Sequence, residues 1–180
     1  MHRLRNLCGA GLLIWLSGCS STPNNYHTLV PAQPAQGGSQ HIMVGRVSLP
    51  PQVDRSQLVV RQGASGLAIL ETEWWGANLV DEFRSALQDM LGGPVAGSTA
   101  LLRVDVQRFD SVPGQYASLD TLWRLKKPAE AELTCRTSVQ TAADNSITSL
   151  VNAHQANLRK LAEAVRAAAA PGRSACPSPQ

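Results

Sequence analysis

Cysteine, histidine, serine and acidic side chains are the groups of this 180-residue chain that could act as nucleophiles, bases or metal ligands. The carboxylates of Asp105, Asp110 and Asp120 are expected on the solvated faces of strands or turns. Beyond the first twenty residues the histidines are His27, His41 and His154, which are far apart and form no His-x-x-x-His pair for zinc. No Gly-x-Ser-x-Gly segment and no phosphate-binding glycine loop is present. We therefore expect no catalytic residue, no metal site and no cofactor. His154, on the apolar face of a predicted helix, is expected to be a core residue.

Cys19 is placed for a different chemistry, the covalent attachment of lipid. Residues 7–18 are apolar and follow Arg3 and Arg5. This run is about a dozen residues long, whereas a membrane-spanning helix needs roughly twenty, so residues 1–18 are typical of a signal peptide. The run ends in Leu-Ser-Gly-Cys, which resembles the lipobox of bacterial lipoproteins. That resemblance implies cleavage before Cys19 and its acylation, since two or three acyl chains anchor a protein durably. The alternative is a secreted protein with an unmodified cysteine.

Ser20 bears on which membrane holds the protein, and the overall charge bears on which partners it attracts. In lipoproteins of this type an aspartate after the cysteine retains the protein in the inner membrane, so Ser20 implies the periplasmic face of the outer membrane. The chain has 16 basic and 13 acidic residues, and loss of Arg3 and Arg5 leaves 14 against 13. This small excess gives no broad attraction for nucleic acid. The Lys126-Lys127 pair is expected to lie on the surface of a turn.

Composition divides the remaining chain into three parts. Residues 19–40 are polar and rich in Pro, Gly, Ser and Gln, which predicts a lipidated flexible tether. Within it, residues 26–29 have some strand character and could add to the edge of a sheet. Residues 41–170 are enough for one compact domain. Residues 171–180 form a tail that contains Cys176.

The periodicity of apolar residues predicts an α+β fold. Two segments have the period of an amphipathic helix, 76–91 and 146–169, and Asn78 is a plausible N-cap of the first. Strand patterns occupy 41–50, 57–62, 67–72, 101–109, 115–125 and 131–139, with a Pro113-Gly114 turn before the fifth. The resulting βββα-βββα order predicts two layers, a largely antiparallel sheet with two helices on one face.

Cys135 and Cys176 remain after Cys8 leaves with the signal peptide and Cys19 carries lipid. Cys135 is predicted to face inward on a strand. Because the compartment is oxidising, a disulfide between the two cysteines could staple the tail to the sheet. The alternative is a buried free thiol at Cys135 beside a disordered tail.

Trp74 and Trp75 lie next to the start of the first helix, where two adjacent tryptophans cannot both easily point into one core. One is expected to anchor the helix to the sheet. The other is expected near the surface, where large aromatic side chains often contact partners. The alternative leaves both partly buried under the loop.

The order of these motifs resembles the PqiC/YmbA family, the auxiliary lipoproteins of ABC-type, MCE-linked transport systems. The resemblance extends from the lipobox to about Arg166. The pattern V-x-L-P-x-x-[LV]-D-R-x-x-[LIV]-V-x-R is met by Val47, Leu49, Pro50, Val53, Asp54, Arg55, Leu58, Val59 and Arg61. A second segment departs from the family, because Trp74 replaces the usual arginine and Ala77 the usual acidic residue.

This resemblance implies an outer-membrane lipoprotein that docks with a membrane-spanning MCE protein, through which lipids pass between two membranes. It also implies a homo-oligomeric ring at the outer end of that partner. Asp54, Arg55, Trp74 and Trp75 are the candidate partner-binding residues, although Asp54 and Arg55 could simply order the loop after Pro50. The alternative function is a structural or assembly lipoprotein that supports another outer-membrane or cell-wall complex. Lipid carriage inside the domain is disfavoured, because sheet–helix packing accounts for every apolar stripe.

Overall fold

The computed structural model describes residues 22–33, 41–92, 97 and 100–177, so Cys19 and the lipobox lie outside the described residues. The predicted α+β class is confirmed, and the βββα-βββα order is present with one short strand in front of it. The described elements are β1 (Asn25–His27), β2 (Ile42–Ser48), β3 (Gln57–Gln62), β4 (Gly66–Trp75), α1 (Leu79–Met90), β5 (Ala100–Val112), β6 (Tyr116–Lys126), β7 (Leu133–Ala142) and α2 (Ile147–Ala169).

The strands divide between two sheets. One has the order β1-β4-β3 and the other the order β2-β5-β6-β7. β1 is parallel to β4 and β2 is parallel to β5, while the β3–β4, β5–β6 and β6–β7 pairs are antiparallel. The predicted turn between β5 and β6 is present: Gln115 N donates to Val112 O at 3.1 Å. Gly114 there has a φ of 74°, which a type II turn requires at its third position.

Both helices begin at polar residues, but these residues act differently. Ser146 caps α2, since its hydroxyl accepts a hydrogen bond from Ser149 N at 3.1 Å. Asn78 precedes α1 at the predicted N-cap position, yet its side chain does not cap the helix. Its Oδ1 instead accepts a hydrogen bond from Ser56 Oγ at 2.8 Å. The side chain thus ties the start of α1 to the loop before β3.

Phe109 connects both sheets and both helices at the centre of the core. Its ring contacts Trp75 at the end of β4 edge-on, with centroids 6.4 Å apart, and Phe83 of α1 in the same way at 6.5 Å. The ring of His154 from α2 stacks on it at 3.8 Å. Edge-to-face and stacked aromatic contacts add about 0.5–1.5 kcal/mol each to the burial of the rings. Phe109 therefore fixes the end of β4 relative to both helices.

α2 is the longest helix of the described residues, and it is amphipathic. Its buried stripe, which includes Leu150, Leu158, Leu161 and Val165, packs on β6 and β7. Across the described residues we find no helix that combines the length and the apolar character needed to cross a bilayer.

The tail after α2 is attached to the second sheet at two places. Cys135 of β7 and Cys176 are joined by a disulfide. Lys127 lies beneath the tail, where its Nζ donates to Arg173 O at 2.7 Å and pairs with the Glu130 carboxylate at 2.6 Å. The prediction that Lys127 lies on the surface of a turn was wrong, because the tail covers it and leaves it buried.

We predict that Cys176→Ser lowers the free energy of unfolding. The disulfide closes a loop with a sequence separation of 41 residues, for which loop entropy predicts a stabilisation of about 4 kcal/mol. Urea unfolding of the oxidised protein measures this loss, and reduction of the wild type should reproduce it. Ser174→Ala, an exposed change in the same tail, is the control. Equal stability of oxidised wild type and Cys176→Ser would contradict the prediction.

Candidate anchoring and docking site

The segment Asn25–Val30 is held against the body by the buried carboxylate of Glu82. Glu82 Oε2 accepts hydrogen bonds from Thr28 Oγ1 at 2.8 Å and from the backbone N–H of Leu29 at 2.9 Å. The Leu29 side chain is fully buried in the core. Because a buried carboxylate is costly without donors, these two bonds make the segment part of the folded unit.

A second carboxylate holds the strand itself. Glu73 accepts hydrogen bonds from Asn25 Nδ2 at 2.8 Å, and its other oxygen lies 2.6 Å from His27 Nε2. Burial opposes the ionisation of Glu73, but the hydrogen bonds from His27 and Asn25 outweigh it and hold the pKa of Glu73 below its ordinary value. The two carboxylates thus bind opposite ends of the same short segment.

Gly76 allows the close approach that this arrangement needs. Its N–H donates to His27 O at 2.8 Å, and a Cβ at this position would lie 2.9 Å from Glu82 Oε1. A side chain there would therefore displace the carboxylate that binds Thr28. On the other side, Gln155 of α2 donates to Thr28 O at 3.0 Å.

Because the segment Asn25–Val30 is part of the folded body, the chain between the body and Cys19 is short. Asn25 is only six positions after Cys19, and an extended chain spans at most about 3.3–3.6 Å per position. The connection from Cys19 to the folded body therefore has a reach of roughly 20 Å. Part of the range predicted to be a tether, 25–30, is instead part of the body, as the strand character of residues 26–29 suggested.

The two adjacent tryptophans have different surroundings. Trp75 is 3% exposed and packs on Phe109, so it anchors the end of β4 in the core. Trp74 is half-buried, and its Nε1 donates to Glu71 O at 2.8 Å. Tyr26 is its neighbour in the register of β1 with β4. One tryptophan of the pair is thus accessible to a partner and the other is not.

Asp54 and Arg55 lie in the loop that links β2 to β3. Asp54 N donates to Pro50 O at 3.2 Å and Arg55 N to Val53 O at 2.8 Å, so the loop is a compact turn. The exposed Asp54 carboxylate has no hydrogen bond within the described part of the chain, and Arg55 Nε is buried there without a partner. Ser56 O accepts from Trp75 N at 2.7 Å, which joins this loop to the end of β4.

His154 and Ser111 form a buried pair with no access to a substrate. Ser111 Oγ and His154 Nε2 are 2.9 Å apart, and both side chains are buried. Burial lowers the pKa of His154 to about 3. Among the residues that the structure describes, no three His, Cys, Asp or Glu side chains lie close enough to hold a metal ion. His154 is a core residue that stacks on Phe109.

Sequence reasoning did not identify Glu82, Glu73 or Thr28 as important residues. Glu82 is an acidic residue in the first turn of a helix, where acidic residues are common on the solvated side. Its partners at positions 28 and 29 lie more than fifty residues away. Cys135 and Cys176 lie on the other sheet and its tail, so the disulfide is not part of this site.

Comparison with solved structures shows that this fold is shared. A crystal structure of an uncharacterised protein superposes with a TM-score of 0.68 at 13% identity, covering 83% of this chain and 100% of that one. The crystal structure of a DUF330 protein from Xanthomonas campestris gives a TM-score of 0.62 at 18% identity, covering 81% of this chain and 95% of that one. A comparison with curated proteins gives no match.

The class defined by these features is a small α+β domain. The chain belongs to the family of ABC-type transport auxiliary lipoprotein components, whose model matches residues 27–166. The predicted resemblance to the PqiC/YmbA type is confirmed by this match. Membership implies an accessory role in an ABC-type transport system and a membrane-anchored periplasmic protein. The matched region begins at His27, within the segment that Glu73 and Glu82 hold.

We predict that Glu82→Ala detaches the segment 25–30 from the body. Loss of the acceptor leaves the Leu29 N–H unpaired, which costs about 1–3 kcal/mol. Hydrogen exchange should show faster exchange at Leu29, and urea unfolding should show the loss of stability. Glu163→Ala, at an exposed glutamate of α2, is the matched control. Unchanged protection at Leu29 would contradict this role of Glu82.

We predict a loss of stability at acidic pH that depends on His154. Its folded pKa of about 3 lies below the ordinary 6.5, so below pH 6.5 the unfolded chain binds a proton that the folded chain excludes. The free energy of unfolding should fall by about 1.4 kcal/mol per pH unit between 6.5 and 4.5. His154→Gln cannot titrate and should reduce this slope in urea unfolding at a series of pH values. If the free energy of unfolding has the same slope against pH in wild type and His154→Gln, the prediction is wrong.

Proposed function

We propose that the protein is an outer-membrane lipoprotein, anchored by acyl chains on Cys19, that docks onto an MCE-domain protein of an ABC-type lipid transport system. The family match supports the accessory role. The lipobox at Leu16–Cys19 and Ser20 after it support the anchor and the choice of membrane. In this role several copies assemble as a ring at the outer end of the partner, as the resemblance implies.

The observation that carries the docking proposal is the unpaired polar loop after β2. Arg55 Nε is buried and without a partner among the described residues, and the neighbouring Asp54 carboxylate is exposed and unpaired there. Several other charged side chains of the described surface are paired, such as Arg61 with Asp110 at 3.1 Å. A buried donor without an acceptor costs about 1–3 kcal/mol, which a partner's acceptor would recover. The loop therefore suits recognition of a polar surface.

The protein acts in this proposal without chemistry or lipid carriage of its own. Three open clefts of about 340, 370 and 430 Å³ have charged side chains in their walls. These include Arg108, Asp120 and Arg136 in the first cleft, and Arg159, Glu163 and Arg166 in the third. Acyl chains favour apolar surroundings, so these clefts do not suit a lipid cargo.

We predict that Asp54→Ala and Arg55→Ala each weaken capture of the MCE partner by about tenfold or more, equivalent to about 1.4 kcal/mol. The measurement is copurification of the lipidated protein, extracted in detergent, with the partner of its own transport system. The matched control is the exposed Asp81–Arg84 pair of α1, where Asp81→Ala and Arg84→Ala should leave capture unchanged. Absence of an MCE protein among species crosslinked in cells would refute the docking proposal.

A further inference from the structure

The large apolar side chains that remain exposed are concentrated on one sheet. Among the described residues these are Tyr26, Met43, Leu67 and Ile69, and three of the four belong to β1 or β4. Tyr26 is the most exposed of them, at 68%. It lies beside the half-buried Trp74 in the register of β1 with β4. Tyr26 and Trp74 thus form an aromatic patch on the segment of chain that follows Cys19.

The chain direction and length limit how far the acyl attachment point can lie from this patch. Because β1 is parallel to β4, the N-terminal end of β1 points toward the start of β4, where Leu67 and Ile69 are 44% and 41% exposed. The six steps of chain from Cys19 to Asn25 reach roughly 20 Å. An acyl group inserted in a bilayer therefore holds the first sheet of the body within that distance of the lipid surface.

The hydrogen bonding of the patch favours a lipid surface over a specific protein partner. Trp74 Nε1 is satisfied by Glu71 O, and Asn25 and His27 are both satisfied by Glu73. The indole N–H of the patch is therefore already paired, unlike Arg55 Nε in the loop of Asp54 and Arg55. Tyrosine and tryptophan are the residues enriched at membrane–water interfaces, where an apolar ring and a polar group meet lipid and water together.

We propose that Tyr26 and Trp74, with the exposed Leu67 and Ile69 further along β4, form a bilayer-facing patch that orients the body on the membrane to which Cys19 is anchored. This inference rests on the proposed lipidation of Cys19 and deepens it. The acyl chains hold the protein to the membrane, and the patch determines which face of the body meets the lipid. The occupant of this patch is the interfacial region of the anchoring bilayer, and the partner docks at the neighbouring loop.

The test is quenching of tryptophan fluorescence by brominated lipids. The lipidated full-length protein is reconstituted into phosphatidylethanolamine–phosphatidylglycerol vesicles, with or without bromine on the acyl chains. After removal of the signal peptide the tryptophans are Trp74, Trp75 and Trp123, and the last two are buried. We expect bromine to quench the emission of Trp74. This emission is the difference between the fluorescence of the wild type and that of Trp74→Phe. Tyr26→Ser should reduce this quenching, whereas Met43→Ala, a change at an exposed apolar residue of β2, should not.

Each outcome of this test distinguishes the patch from the docking proposal. Protein that sediments with the vesicles but shows equal emission with and without bromine overturns the bilayer-facing patch. If that protein still captures its MCE partner, the docking proposal stands without the patch. Quenching that Trp74→Phe removes supports the patch, even if no partner is captured. An intact mass that shows unmodified Cys19 overturns both the patch and the docking proposal. If the partner alone protects Trp74 in the absence of lipid, Trp74 belongs to the docking surface and the patch is overturned.

Discussion

The burial of the Glu82 carboxylate is the constraint on which the organisation of this domain depends. A buried carboxylate needs hydrogen-bond donors, and the described donors to Glu82 are the hydroxyl of Thr28 and the amide of Leu29. Both belong to the segment that leads from the position of the lipobox. The described donors therefore reach the Glu82 carboxylate only with this segment in place. Phe83, the next residue of α1, is buried against Phe109, so the same helical turn joins the segment to the centre of the core.

The end of β4 joins the proposed anchoring and docking features. Trp75 packs on Phe109 on its inner side, and its backbone N–H donates to Ser56 O in the loop of Asp54 and Arg55. Trp74 precedes it and adjoins Tyr26 in the sheet. β1 and the loop of Asp54 and Arg55 are therefore connected through the same strand end. This arrangement suits a protein whose partner is engaged next to a membrane.

The sequence was sufficient for features that depend on local periodicity or turn chemistry. The main strands, both helices and the Pro113-Gly114 turn follow from such patterns, and His154 is in the core, as its place on the apolar face of α2 predicted. Features that depend on distant partners were not predictable in the same way. The bond of Glu82 to Leu29 spans 53 residues, and Lys127 is buried by a tail 46 residues further on. No pattern near Glu82 or Lys127 distinguishes them from solvated charges.

The parallel pairing of β1 with β4 has a mechanical consequence for a protein that is pulled by its lipid. Traction from the membrane side acts on the N-terminal end of β1, along the strand rather than across it. Under such shear the hydrogen bonds between β1 and β4 must break together, instead of one after another from one end. A three-residue strand, held in its segment by two carboxylates, can therefore resist a pulling force that would separate the strands of a hairpin of the same length.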